Sequence, residues 1–465
     1  MSNSSRTIGA IRYHEQDRHF EIRKGLDLPI AGQPDPHIRD SAPISRVAIV
    51  GDDSIGLKPT MAVEVGDRVR CGQLLFTDKK NPGVCYTAPG CGTVAAINRG
   101  KRRQFESLVI ELDGEAAVTF LDTPDQPVTR HSDSEIRELL ITAGLWPVFR
   151  TRPYGKVPAI DTSPSALFVT AIDTEPLAPP PELCIGHHGA EYQRGLALLQ
   201  RLLEVPIHYC SARRELLPCE MVDDLNYWSF SGPHPAGLAS THIHCLEPVH
   251  EKKVVWHIGY QDIIAIGHLF ATGELSTRQW IGLGGTGFKE PALVTTRRGA
   301  SLDELCQGEL YDQPLRLISG SVLSGRTADP VVGFLGRFHN QVAALPDNNG
   351  RSLFNWVMPG KDRFSIRPVF SSALNSALRL PMSTALWGGK RAIYPLGTYE
   401  EVMPLDIIAT YLLKAIAVGD TEKAKALGCL ELIEEDLALC GFACPGKNEF
   451  GPALREVLDA IESEG

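Results

Sequence analysis

Residues 166–211 hold the passage that decides the fold: "ALFVTAID" (166–173), "AEYQRGLALLQRLL" (190–203) and "VPIHYCS" (205–211). The first and third are short apolar runs rich in β-formers, while the middle one repeats apolar residues at helical spacing. Strand, helix, strand at this spacing implies two parallel strands joined by a crossover helix. The pattern returns downstream, where "KKVVWHIG" reads as a strand and "YQDIIAIGHLFATG" as a helix. Upstream, "HSDSEIRELLITAGLW" opens a helix with a capping box, Ser132 with Glu135, and stops it at Gly144. Residues 130–275 are therefore an α/β, Rossmann-like domain with a largely parallel sheet.

The flanks change character. Residues 1–20 are polar and aperiodic and read as a disordered tail. Residues 21–115 are short β segments cut by Gly and Pro, such as "GDRVRCGQLLF" and "GVCYTAPGCGTVAAINRG". They suggest a barrel-sandwich domain like those of lipoyl and biotinyl carriers. Residues 276–330 alternate strand, turn, strand, short helix, strand, as a β-grasp does. Residues 331–402 read as a mixed, β-rich segment, and 403–465 as a bundle of short helices. The fold class is α/β multidomain.

At 465 residues, with a net charge of −10 and pI near 5.8, the chain is soluble in type and unsuited to nucleic acid, which is bound through clustered Lys and Arg. No basic membrane-surface patch stands out, and no stretch supplies the roughly 20 apolar residues a spanning helix requires. Membrane association is expected only through partners. Eleven scattered cysteines suit free thiols in a reducing compartment.

Several local motifs imitate known chemistry. Lys79 stands near where a carrier domain is acylated, but it follows Gly72 too closely and "KNPGV" displaces the tip. "GLGGTG" (282–287) satisfies the dinucleotide pattern, yet "FKEPALV" follows where a helix should open, so a β-grasp hairpin is the reading. "GSVLSGRT" (320–327) lacks the phosphate-binding Lys, having Arg326 instead. His234, His242 and His244 form a histidine group; on a strand the last two would share a face that a metal could use, with Cys245 and Glu247 nearby, but these do not complete a ligand set and structural hydrogen bonding is the reading. Cys440 and Cys444, in "CGFACP", match the end of a C-x2-C-x2-C-x3-C-P cluster run, but Leu437 and Glu434 occupy the two earlier positions.

The motifs "KGLDLPIAG", "FTDKKNPGVCYTAP", "AGLWPVFRTRPYGKVPAID", "GPHPAG" with "STHIH", "LISGSVLSGRT", "WVMPGKDRFS" and "LALCGFACPGKNEFG" come in the order found in one family. From about residue 20 onward the chain resembles the A subunit of the sodium-translocating NADH:quinone oxidoreductases. That family is related in turn to the flavin subunit of respiratory complex I and the C subunit of the Rnf complex. The resemblance implies a peripheral subunit on the cytoplasmic face of a bacterial inner membrane, soluble when isolated. The complex it belongs to would reduce ubiquinone with electrons from NADH and export sodium.

Flavins, iron–sulfur centres and NADH are expected on other subunits, the nearest partner being an integral-membrane flavoprotein. No catalytic residue, intact cofactor site or metal site is expected here, and Cys440 and Cys444 read as a degenerate cluster remnant. The relatives carry a flavin loop where this chain has "AGLWPVFRTRPYG", so Trp146, Phe149, Arg152 and Tyr154 become candidates for a quinone-proximal region, with ubiquinone as the ligand. A non-catalytic scaffold, or an independent flavin and iron–sulfur NADH dehydrogenase, are the alternatives.

Overall fold

The computed structural model describes residues 5–213, 225–347, 358–375 and 377–464. Its centre is an eight-stranded sheet whose parallel part runs Asn226–Ser231, Ile207–Ser211, Leu167–Ala171, Val255–Gly259. Alternation along Leu167–Ala171 explains why both faces are covered. Leu167, Val169 and Ala171 enter one core with Leu196, Leu199 and Ile263 of the helices Gly189–Leu202 and Tyr260–Thr272. Phe168 enters another with Ile243 of the helix Ala239–Leu246. The Ser132 cap is present, with the Glu135 amide donating to Ser132 Oγ at 3.2 Å and the Ser132 amide to Glu135 Oε2 at 2.8 Å. Gly144 closes that helix at φ 71°, where a Cβ would stand 2.4 Å from Thr87 Oγ1.

The expected disordered tail is not one. Strands Ser5–Ile8, Ile11–His14 and His19–Ile22 form an antiparallel meander, and the last pairs in parallel with Asn226–Ser231. Phe20 and Ile22 are buried, which offsets the entropy of ordering this polar stretch. The first four residues lie outside the described ones.

Residues 46–112 form two facing sheets, of four and three strands, as a barrel-sandwich. The turn carrying Lys79 is docked rather than free: Asn81 Nδ2 donates to the carbonyls of Val157 at 3.0 Å and Pro158 at 3.2 Å. In the β-grasp sheet, "GLGGTG" forms the end of strand Arg278–Gly284 and the turn into Ala292–Arg297. Gly285, at φ 99°, lies against Ala344, where a Cβ would come within 2.5 Å of the carbonyl oxygen, so the glycine serves backbone packing.

This sheet reaches beyond residue 330. Strand Gln341–Pro346 lies at its centre, and Asp35–Asp40 from the N-terminal region forms one edge. The rest of the supposed β-rich segment, residues 358–397, contains no strand among the described residues; it runs as an extended strap. A single-residue bridge joins its Leu380 to Ile30. From Thr398 onward short helices enclose their own core, including Leu412, Leu413, Leu454 and Leu458.

Candidate functional site

The sheet's crossovers diverge between Leu167–Ala171 and Val255–Gly259: one strand continues toward Ile207–Ser211, while the other lies on its opposite side. Loops leaving such a switch point part company and leave a crevice at the carboxyl ends of the strands. Here it opens into a cleft of about 1940 Å³. Asp173, Glu175, His257 and Gln261 come from the α/β domain, Arg298, Arg326 and Phe338 from the β-grasp, Asp53 from the barrel, and Glu435 and Phe442 from the terminal helices. Every domain contributes to it.

The cleft is electrostatically divided. Arg298 Nη1 donates to Asp262 Oδ1 at 2.9 Å, Arg326 Nη1 to Asp53 Oδ1 at 2.9 Å, and Arg150 lies 4.4 Å over the Phe338 ring. Elsewhere Glu175 accepts from the hydroxyls of Ser321 and Ser324 and stands 3.9 Å from His234 Nε2. Burial pushes the Asp173 and Glu175 carboxyls up to about 7. Burial also drives His339 down to about 4, so its ring is neutral at pH 7.

The four residues expected near a quinone divide. Trp146 and Phe149 have no accessible surface and interlock with Trp256, at ring distances of 5.4 to 5.7 Å. Trp146 Nε1 is spent on the Pro158 carbonyl at 2.9 Å. These two are core, and the cleft-facing residues of their segment are Val148, Arg150 and Gly155.

Arg152 is fully buried and joins domains: Nε donates to Ser240 Oγ at 3.0 Å, Nη1 meets His257 Nε2 at 2.9 Å, and Nη2 reaches Glu435 Oε1 at 3.5 Å. The Ser240 hydroxyl in turn donates a hydrogen bond to Asp436 Oδ2 at 2.7 Å. Burial raises the Asp436 carboxyl to about 7, against the pull of Arg152. Tyr154, in the left-handed region at φ 76°, packs against the terminal helices, and its carbonyl accepts from Arg455 Nη1 at 2.8 Å.

The histidines do not share a strand face. His242 and His244 lie on the helix Ala239–Leu246, two residues apart and so pointing apart. His242 Nε2 meets the Ala236 carbonyl at 3.0 Å, and burial lowers its pKa to about 4. His244 Nδ1 pairs with Glu431 Oε2 at 2.8 Å, and its Nε2 accepts the Asp406 amide at 3.1 Å. His234 meets Thr174 Oγ1 at 3.2 Å. Each is a structural link between segments.

Among the described residues no group of three or more His, Cys, Asp or Glu could hold a metal. Cys440 and Cys444 are buried, and Cys444 Sγ accepts from Tyr399 OH at 3.1 Å and Asn448 Nδ2 at 3.3 Å. A four-thiolate cluster does not fit these residues.

Sequence reasoning missed the cleft's own groups. Asp173 could have been found, since it follows the carboxyl end of a strand that the sequence marks plainly. Arg150, Arg298 and Phe338 reach one cleft only through inter-domain packing, which leaves no local signal.

Fold and cleft define a multidomain protein in which a barrel-sandwich, a parallel α/β domain, a β-grasp and a helical terminus close around one crevice. Families described as the NqrA N-terminal barrel-sandwich hybrid domain, the NqrA second alpha/beta domain and the NQRA C-terminal domain match residues 20–113, 131–275 and 280–329. The Na(+)-translocating NADH-quinone reductase A subunit of Yersinia pestis bv. Antiqua (strain Angola) is 48% identical over 446 residues, covering 96% of this chain and 100% of the relative. The protein of that name from Neisseria gonorrhoeae (strain NCCP11945) is 48% identical over 447 residues at the same coverage. The chain belongs to this NqrA family, the A subunits of the Na(+)-translocating NADH-quinone reductases. Against a chain of the H2-reduced NAD+-reducing [NiFe]-hydrogenase the TM-score is 0.36 at 14% identity, over 48% of this chain and 49% of that one, too distant to inform the site.

Proposed function

We propose that the chain is the peripheral A subunit of a complex that oxidises NADH, reduces ubiquinone and moves Na+ across the bacterial inner membrane from its cytoplasmic face. In this reading it forms or shields part of the quinone site and carries no redox cofactor. NADH, flavins and iron–sulfur centres belong to other subunits, with an integral-membrane flavoprotein as its neighbour.

The supporting observation is the cleft. Phe338 and Phe442 offer flat apolar walls, and Arg150 and the neutral His339 offer hydrogen-bond partners for carbonyl oxygens. Opposing a flavin there, the side chains of Trp146 and Phe149 fill the loop where a phosphate would need close backbone. Photoaffinity labelling of the assembled complex with a quinone analogue tests the reading. Label on Phe338, Phe442 or their neighbours is expected, and label confined to other subunits overturns it.

A scaffold role is the second reading, favoured by the complete burial of Trp146 and Phe149. It requires that titration of the full chain with a short-chain quinone give no heat that Phe338→Ala abolishes.

A further inference from the structure

The strap, residues 358–375 and 377–397, departs from the rest of the molecule in two ways. Lys361, Arg363, Arg367, Arg379, Lys390 and Arg391 face a single Asp362 over residues 358–397, a net charge of +5 in a chain whose total is −10. Among the described residues no ion pair joins Lys361, Arg367, Arg379, Lys390 or Arg391 to a carboxylate, and all five are exposed. The same segment carries seven of the large apolar residues left in solvent, among them Val369 at 73%, Leu386 at 67%, Trp387 at 62% and Tyr394 at 57% exposure.

The strap is nevertheless held in place. Leu380 is 3% exposed and its amide bonds the Pro29 carbonyl at 2.6 Å; Thr384 Oγ1 donates to Asp347 at 2.7 Å; Ile366 and Ile393 pack on the helical core. These anchors bury one set of apolar side chains and leave the other exposed, where Leu386, Trp387 and Leu396 also line the cleft.

The strap's cations lie among these apolar residues. The Arg363 guanidinium lies 5.3 Å from the Trp387 ring and 6.0 Å from Phe370, and Arg367 Nη2 donates to the Leu396 carbonyl at 3.0 Å. Trp387 itself sits at φ 44°, a left-handed conformation costly for an aromatic residue, so tertiary structure enforces where it points.

From these features we infer that the strap is a docking surface for an anionic lipid bilayer, with Leu386, Trp387, Tyr394 and Leu396 entering the interface and the flanking cations meeting headgroup phosphates. Trp and Tyr favour that boundary because an apolar ring and a polar edge are both satisfied there. Separate apolar tips among Lys and Arg suit a fluid surface, whereas a protein partner would call for a shaped, paired one. The rest of the chain carries −15, the total less the strap's +5. Screening within about 8 Å at physiological salt confines attraction to the strap and turns this face to the membrane. Composition averaged over the whole chain concealed this patch. The inference does not depend on quinone binding.

Co-sedimentation of the full chain with vesicles tests it. Binding is expected to vesicles of equal parts phosphatidylglycerol and phosphatidylcholine at low salt, falling steeply at high salt, and to be absent with phosphatidylcholine alone. Since each Lys or Arg at such a surface contributes roughly fivefold, Lys390→Glu with Arg391→Glu should weaken binding at least about twentyfold. Trp387→Ser, at an exposed position, should weaken it without changing the melting temperature by more than a degree or so. Equal binding to both vesicle types, or no loss in either variant, would overturn the inference. So would a chain that ignores vesicles while its strap resists proteolysis in the assembled complex, which would make the strap a protein interface.

Discussion

Glu175→Gln isolates the charge of one cleft carboxylate. Burial raises the Glu175 pKa from 4.5 to about 7, so the folded chain holds that proton more tightly than the unfolded one. Its contribution to stability is therefore complete below about pH 4.5 and is lost as pH rises through about 7. The whole rise is worth about 3 kcal/mol. The side chain keeps 13% exposure, and screening trims this to about 2 kcal/mol. Gln has the same shape but no charge to desolvate, and it accepts from one fewer serine hydroxyl, a pH-independent loss of about 1 kcal/mol. Urea unfolding midpoints from about pH 4 to about pH 8 should show the variant gaining about 2 kcal/mol on the wild type across the range. A gap that stays constant with pH, or that moves the other way, would refute the argument that Glu175 is buried against its charge.

Arg152→Met should cost about 3–5 kcal/mol, read by denaturant unfolding, because it strands Asp436 and Glu435 without their cation. Trp146→Ala should cost a similar ~3–5 kcal/mol from the cavity it opens, and a variant that instead lost quinone labelling at unchanged stability would return Trp146 to the binding site. Gly144→Ala should destabilise by more than about 1 kcal/mol, since the left-handed turn and Thr87 both oppose a Cβ; an unchanged melting temperature would contradict that geometry. Anaerobic incubation with iron and sulfide should leave the purified chain colourless after desalting, and a brown, iron-retaining protein would reverse the account of Cys440 and Cys444.

Periodicity made the α/β domain readable because each of its strands and helices satisfies its own pattern locally. The Ser132 cap, the Leu167–Ala171 strand and the Gly189–Leu202 helix all fall where the sequence puts them. The histidines of the "THIH" segment are hydrogen-bonding links as read from sequence, but four residues fit a strand and a helix equally, and here they lie on a helix with His244 anchored on Glu431. Residues 5–22 misled for the opposite reason: their polarity matches a tail, and only a partner strand more than two hundred residues later orders them. The cleft was hidden for that same cause. Its groups come from four domains, and apart from near neighbours such as Asp173 and Glu175 they meet only in the folded chain.

The threading of the N-terminal region bears on how the chain is made. His19 pairs with Ser229, and Asp35 with Ala292, so the first forty residues leave the ribosome well before either sheet that receives them exists. The barrel-sandwich at 46–112 closes from nearby contacts and can form early. The first three strands can pair locally, but the free edge of His19–Ile22 and the strand Asp35–Asp40 must wait, open to pairing with another nascent chain. These segments are thus made well before the strands that complete them, and chaperone demand should be greatest before residue 297 emerges.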